Sequence, residues 1–125
     1  MARSDLVRVM VVDDQADARF LVRVLLEEHD DLEVVAEADG APAALRGLEF
    51  APDVALVDAR MPLVDGFELA PQLRERAPHL QVALLTTIVD DRVRELAAAA
   101  GITRCVAKGD YDALADVVRE LAAAD

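Results

Sequence analysis

The chain has 125 residues, 13 basic against 25 acidic side chains and a formal net charge of −12; this length suits one domain, and this charge excludes a surface that grips nucleic-acid phosphates by itself. Hydrophobic residues make up 54% of the chain, which excludes global disorder, while aromatics make up only 3%, so the core is aliphatic. The single cysteine, Cys105, excludes an internal disulfide and fits a reducing, cytoplasmic setting; no apolar run approaches the roughly 18 residues of a membrane helix, and Arg3, Asp5 and Arg8 break the N-terminus as a signal peptide.

The first apolar run, Arg8–Val12, reads as a strand. The amphipathic stretch Ala16–Glu28 follows it, with helical spacing that puts Phe20, Leu21, Val24 and Leu25 on one face and Arg19, Arg23, Glu27 and Glu28 elsewhere. Glu33–Glu37 is the second run, and Ala41–Leu48 the second helical stretch, with Pro42 just inside its start. Val54–Val57 precedes the helical pattern Gly66–Arg76. Val82–Leu85 precedes Asp90–Ala100, which Gly101 closes, and Thr103–Ala107 precedes Tyr111–Ala123. Pro52, Pro62 and Pro78 fall in the connections. The runs are nearly continuous in hydrophobicity, as strands covered on both faces must be. Strict alternation of strand and helix predicts an α/β fold: a doubly wound, five-stranded parallel sheet in the flavodoxin-like order 2-1-3-4-5, with right-handed crossovers. Ligands of such a sheet bind beyond the carboxyl ends of the strands, near the switch between strands 1 and 3.

Strand 1 ends in Asp13-Asp14 and strand 3 in Asp58, so three carboxylates converge on that crevice. A lone Asp after a strand often caps the next helix, which is the ordinary reading of Asp14 or Asp17 taken singly. Capping does not account for acids at both adjoining strand ends. Like charges held close repel unless a cation lies between them, and magnesium suits oxygen ligands and few carboxylates. Strand 4 ends in Thr86-Thr87, two of the few hydroxyl residues of a chain whose only serine is Ser4. Strand 5 ends in Lys108, the only lysine in a chain that otherwise uses arginine. A compact ammonium fits a narrow crevice where a guanidinium fork does not. A carboxylate can attack phosphorus to give an aspartyl phosphate, and the surrounding cations and hydroxyl would neutralise the transferring oxygens.

The segments VMVVDDQADAR, VALVDARMPLVDGFEL, VALLTT and CVAKGD occur in this order. With them the chain resembles the CheY-like receiver domain of two-component response regulators over nearly its full length. The stretch LLEEHDDLEVVAEADGAPAAL resembles the NarL/FixJ type, whose members usually carry a C-terminal helix-turn-helix domain. The resemblance implies that Asp58 is the phosphoacceptor. It implies that Asp13, Asp14, Asp58 and the main-chain carbonyl of Arg60 hold Mg2+, that Lys108 and Thr86 act on the phosphoryl group, and that the main-chain amides of Ala59 and Thr87 bind it. Met61-Pro62 and Asp65-Gly66 match the loop that shapes the pocket. The implied partner is a sensor histidine kinase; a homodimer is one implied output, and DNA would be reached only through an output domain outside these 125 residues. Small acyl phosphates are implied as substitute donors.

Three positions depart from the family pattern. Cys105 stands where an aromatic switch residue is usual beside Thr86, Gly109 follows the lysine where proline is usual, and Thr87 adds bulk after the switch threonine. Arg60 and Ile88 correspond to side chains that flank the path of attacking water. His29 and His79 lack a second ligand at metal spacing and read as surface residues. Cys105 reads as a small hydrophobe, Tyr111 as a packing residue, and Glu27, Glu28, Asp30 and Asp31 as a solvated face. An aspartyl-phosphate phosphohydrolase would place its nucleophile after strand 1 in a D-x-D pattern, and here that position reads Asp13-Asp14-Gln15. A flavin carrier would need a first loop that cradles phosphate, and here that loop is acidic. A degenerate receiver that only makes protein contacts would not need the full acid set and Lys108. The expected organisation is a single receiver domain over 1–125, cut from a longer regulator or standing alone.

Overall fold

The computed structural model describes residues 6–124; Arg3, Ser4 and Asp5 lie outside them. Five strands alternate with five helices. They are β1 (Val7–Val12), α1 (Ala16–Glu27), β2 (Leu32–Ala38), α2 (Ala41–Gly47), β3 (Val54–Asp58), α3 (Gly66–Arg76), β4 (Gln81–Thr86), α4 (Asp91–Ala99), β5 (Arg104–Ala107) and α5 (Leu114–Ala123). A single 3₁₀ turn, Leu48–Phe50, ends the second helical stretch. All strand pairs are parallel and the order is β2-β1-β3-β4-β5, as the alternation predicts.

The pleat divides the core in two. Met10, Val12, Ala55, Val57, Val82 and Leu84 pack with Leu69, Ala70 and Leu73 of α3, Ala44 of α2 and Ala97 of α4. Their neighbours Val9, Val11, Val54, Leu56, Ala83 and Leu85 pack on the other face with Val22 and Leu26 of α1 and with α5. Successive strand residues point to opposite faces, and both faces are covered, so β3 is buried along its whole length.

One helix is turned differently from its sequence reading. The buried residues of α1 are Val22 and Leu26, whereas Phe20, Leu21 and Val24 are exposed, Phe20 by 58%. Apolar residues run almost all the way round α1, so spacing alone leaves its rotation open. Other boundaries move by a residue or more. Asp90 is the cap of α4 rather than its first residue, accepting from Val93 N at 2.9 Å. The last helix begins at Leu114, with Tyr111 in the turn before it. Pro42 stands in the first turn of α2 as expected, and Pro71 is accommodated on an exposed side of α3.

Glu27, Glu28, Asp30 and Asp31 are exposed, as a solvated face should be, and two of them also have partners. Arg119 of α5 donates from Nε to Asp31 Oδ2 at 2.7 Å and from Nη2 to Asp31 Oδ1 at 2.9 Å; Nη2 also lies 3.0 Å from His29 Nδ1. Glu27 accepts from Val34 N at 3.3 Å. Among the described residues no helix is long and apolar enough to cross a membrane.

Candidate functional site

The strands β1 and β3 are paired with Val12 opposite Val57, so the residues that follow emerge side by side at the carboxyl edge. Asp13, Asp14 and Asp58 each offer a carboxylate oxygen there, all within 4.8 Å of one another. Asp13 is 1% exposed and Asp58 6%, while Asp14 is half-buried. Neither Asp14 nor Asp17 caps α1: the cap position is Gln15, whose own side chain makes no capping bond. Capping therefore does not explain the cluster.

Lys108 enters from the end of β5. Its Nζ donates to Asp13 Oδ2 at 2.8 Å and lies 3.3 Å from Asp58 Oδ1. Its strand is placed by pairing of Ala107 with Thr86, and its own N–H donates to Thr86 O at 2.7 Å. Burial alone would lower the lysine pKa, but the hydrogen bond and charge of Asp13, with the charge of Asp58, outweigh it and raise it. For Asp58 the largest influence is burial, which raises its pKa; the Arg60 amide opposes that, Asp13 adds to the rise, and Lys108 opposes it. Three carboxylates and one ammonium leave a formal charge of −2 when all are ionised. An oxygen-only donor set with that residual charge fits a hard divalent cation such as magnesium.

The loop after β3 carries the pocket wall. Asp65 caps α3 by accepting from Glu68 N at 2.9 Å, and Glu68 Oε1 accepts from Asp65 N at 3.0 Å, a reciprocal capping box. Gly66 donates its N–H to Ala59 O at 3.1 Å. A Cβ at Gly66 would lie 2.4 Å from the Asp58 carbonyl oxygen, so only glycine lets the helix start this close to the acid. Leu63, fully exposed in the same loop, takes a left-handed φ of 72°. Across the crevice, Gly109 takes a φ of 89°, which proline cannot adopt. That accounts for glycine after Lys108.

Other expected site residues are placed less directly. Thr86 is buried at the end of β4, but its hydroxyl donates to Ile88 O at 3.1 Å, within its own loop. Thr87 is exposed beside it. The Ala59 amide is already engaged, donating to Leu85 O at 2.9 Å, because the β3–β4 pairing runs one residue beyond the expected strand end. The amide directed at Asp58 is that of Arg60, at 3.3 Å from Oδ1. Cys105 is half-buried against the α3–α4 side of the core, and burial raises its thiol pKa. The sequence reading also missed Arg19. Its Nη1 donates to the Asp13 carbonyl at 2.6 Å, a contact with a backbone atom that leaves no mark in residue spacing.

With this geometry in hand, comparison with known proteins is direct. The family model described as the response regulator receiver domain matches residues 9–119. A curated relative, response regulator protein VraR of Staphylococcus aureus, is 32% identical over 116 residues, covering 91% of this chain and 56% of that protein. The chain thus spans about half the length of the curated relatives it matches. Among solved structures, the receiver domain of the response regulator NarL from Mycobacterium tuberculosis superposes with a TM-score of 0.87 at 29% identity, covering 97% of this chain and 99% of that one. A LuxR-family two-component response regulator from Aurantimonas sp. SI85-9A1 gives a TM-score of 0.88 at 28% identity, covering 94% and 86%. The acid triad, the fold and these relatives agree: the chain belongs to the response regulator receiver domain family, a phosphoacceptor signalling module rather than an enzyme in its own right, and regulators of the NarL/LuxR family are among its relatives.

Proposed function

We propose that this chain accepts a phosphoryl group on Asp58 from the phosphohistidine of a sensor kinase, in a magnesium-dependent reaction, and that the added charge switches an output. The observation that carries this reading is the meeting of Asp13, Asp14 and Asp58 within 4.8 Å, with a single lysine between two of them. An Asp58 oxygen would attack phosphorus as the phosphorus–nitrogen bond breaks and the imidazole leaves with the electron pair. Asp13, Asp14, Asp58 and the Arg60 carbonyl would hold magnesium, which when bound supplies neutralisation of the phosphoryl oxygens. Burial makes the Asp58 carboxylate more basic, which strengthens it as a nucleophile once ionised. Lys108 would shift from the carboxylates to a phosphoryl oxygen.

Two groups would follow the new charge. The Thr86 hydroxyl would leave Ile88 O for a phosphoryl oxygen, carrying the β4–α4 loop with it. The Arg60 amide, with that of Thr87, takes the donor role expected for Ala59. Hydrolysis by water would restore the carboxylate, and Arg60 and Ile88, both exposed at the mouth, would obstruct that water. The donor protein has a surface to cover next to the site. Phe20, Leu21 and Val24 lie exposed on α1, which begins two residues after Asp14. We read the module as cytoplasmic and its output as transcription through a DNA-binding domain of the longer regulator, with a homodimer as one form of the switched state.

Incubation with acetyl phosphate and magnesium, followed by intact mass, tests the reading. A phosphate-sized gain is expected in the parent and not in Asp58→Asn or without magnesium. No gain in the parent, or an equal gain in the variant, would overturn it.

A further inference from the structure

Arg19 sits behind the acid cluster without touching a carboxylate of it. Its Nη1 donates to the main-chain carbonyl of Asp13 at 2.6 Å, and its Nε lies 3.6 Å from Glu37 Oε1. Its side chain is 19% exposed. Glu37 stands near the end of β2, opposite Val11 of β1, and its other oxygen lies 3.3 Å from Arg23 Nε. One guanidinium therefore ties three parts together: the carbonyl that leaves β1, the exit of β2 and the first turns of α1. The carboxylate of Asp13 is fixed separately, by Gln15 N at 2.9 Å and Lys108 Nζ at 2.8 Å.

We infer that Arg19 is a positioning residue for the divalent-cation site, holding the Asp13-Asp14 backbone so that both carboxylates stay turned toward Asp58, with Glu37 holding Arg19. The inference rests on the reading that these acids bind magnesium. The need for such a brace is electrostatic: three carboxylates within 4.8 Å repel, and a free loop would relieve the repulsion by turning Asp14 outward. The carbonyl is the right atom to hold, because a bond to a carboxylate would compete with the cation. Glu37 offsets the guanidinium charge, so the brace costs the site little of its negative field. Partners that orient metal ligands typically matter by about 10- to 100-fold in metal affinity.

Charge and positioning make opposite predictions for Arg19, which allows a clean test. If Arg19 and Glu37 acted only through their fields, Arg19→Gln would tighten magnesium binding and Glu37→Ala would weaken it. Acting as a brace, both substitutions weaken it. The experiment is calorimetric titration of the full chain with magnesium chloride, with no phosphodonor present. Arg19→Gln and Glu37→Ala are expected to weaken binding, the former about ten-fold. Arg19→Lys, which keeps the charge and loses the fork, is expected to restore part of the loss. Arg23→Gln shares Glu37 but does not reach Asp13 and is expected to stay within about two-fold of the parent. Thermal melting of each variant accompanies the titration; if Arg19→Gln fails to fold, Arg19→Lys carries the test, because it keeps the charge and should still bind more weakly than the parent. Unchanged affinity in folded Arg19 variants, or tighter binding in Arg19→Gln, would overturn the inference while leaving the magnesium reading intact. A parent that binds no magnesium would overturn both.

Discussion

The two edges of the sheet use charge in opposite ways. At the amino edge, arginines meet acids or carbonyls. Arg119 grips Asp31 with two nitrogens, the Arg8 side chain donates to Ala51 O at 3.2 Å while its N–H meets Asp53 Oδ2 at 2.9 Å, and Arg74 caps Gly101 O at 3.1 Å. At the carboxyl edge three acids share one lysine. The amino edge is closed on itself and holds helices to strands. The carboxyl edge keeps an unmet charge, a cost to stability that an added cation removes. Sites that store such imbalance are where function concentrates.

The largest effect that would sharpen this contrast is steric. Gly66→Ala places a methyl 2.4 Å from the Asp58 carbonyl oxygen, and we expect a loss of about 2 kcal/mol in urea unfolding. Gly40, where an added Cβ meets nothing within 4 Å, is the matched control and should change far less as Gly40→Ala. Next in size is the response to magnesium. The parent should gain about 1.4 kcal/mol at a magnesium concentration ten times Kd, by mass action. Asp14→Asn should be at least as stable as the parent in chelator, since a repelling charge is gone, and should lose most of the magnesium gain. An Asp14→Asn protein less stable than the parent in chelator would break the comparison.

The lifetime of the phosphorylated form comes third. Arg60→Ala and Ile88→Ala should each lose phosphate several-fold faster, roughly 1 kcal/mol in barrier; rates equal to the parent would remove both side chains from the account. At the amino edge, the hydrogen bond from Arg119 holds the Asp31 carboxyl below its ordinary value. A depressed acid contributes stability above its unfolded pKa, about 3.9, and loses it as pH falls through the lower folded value. Arg119→Ala should therefore be less stable than the parent at neutral pH, with the gap closing below about pH 4. Smallest is the Cys105 thiol. Burial raises its pKa, with Arg94 opposing, so thiol reagents should modify it more slowly than a free cysteine at neutral pH and faster once urea unfolds the chain.

Much of this was legible before any coordinates. Strand order followed from alternation, and the acid pair and Asp58 stood out because they end neighbouring strands. The rotation of α1 was not legible, because Phe20, Leu21 and Val24 are as apolar as Val22 and Leu26; only the sheet decides which face is covered. The engagement of the Ala59 amide by Leu85 O was not legible either, because strand pairing continues to Ala59 N and a backbone register leaves no side-chain signature. The Arg119–Asp31 pair joins residues 88 apart, and nothing local marks it. Arg19 read as one more polar residue of a helix, since its partner is a carbonyl.

The central claim is that the carboxylate at the end of β3 becomes an acyl phosphate. Borohydride reduction after treatment with acetyl phosphate and magnesium, followed by peptide mass mapping, tests it most directly. Reduction to the alcohol at Asp58 alone is the predicted result. Reduction at Asp13 or Asp14, or at none of the three, would contradict the account.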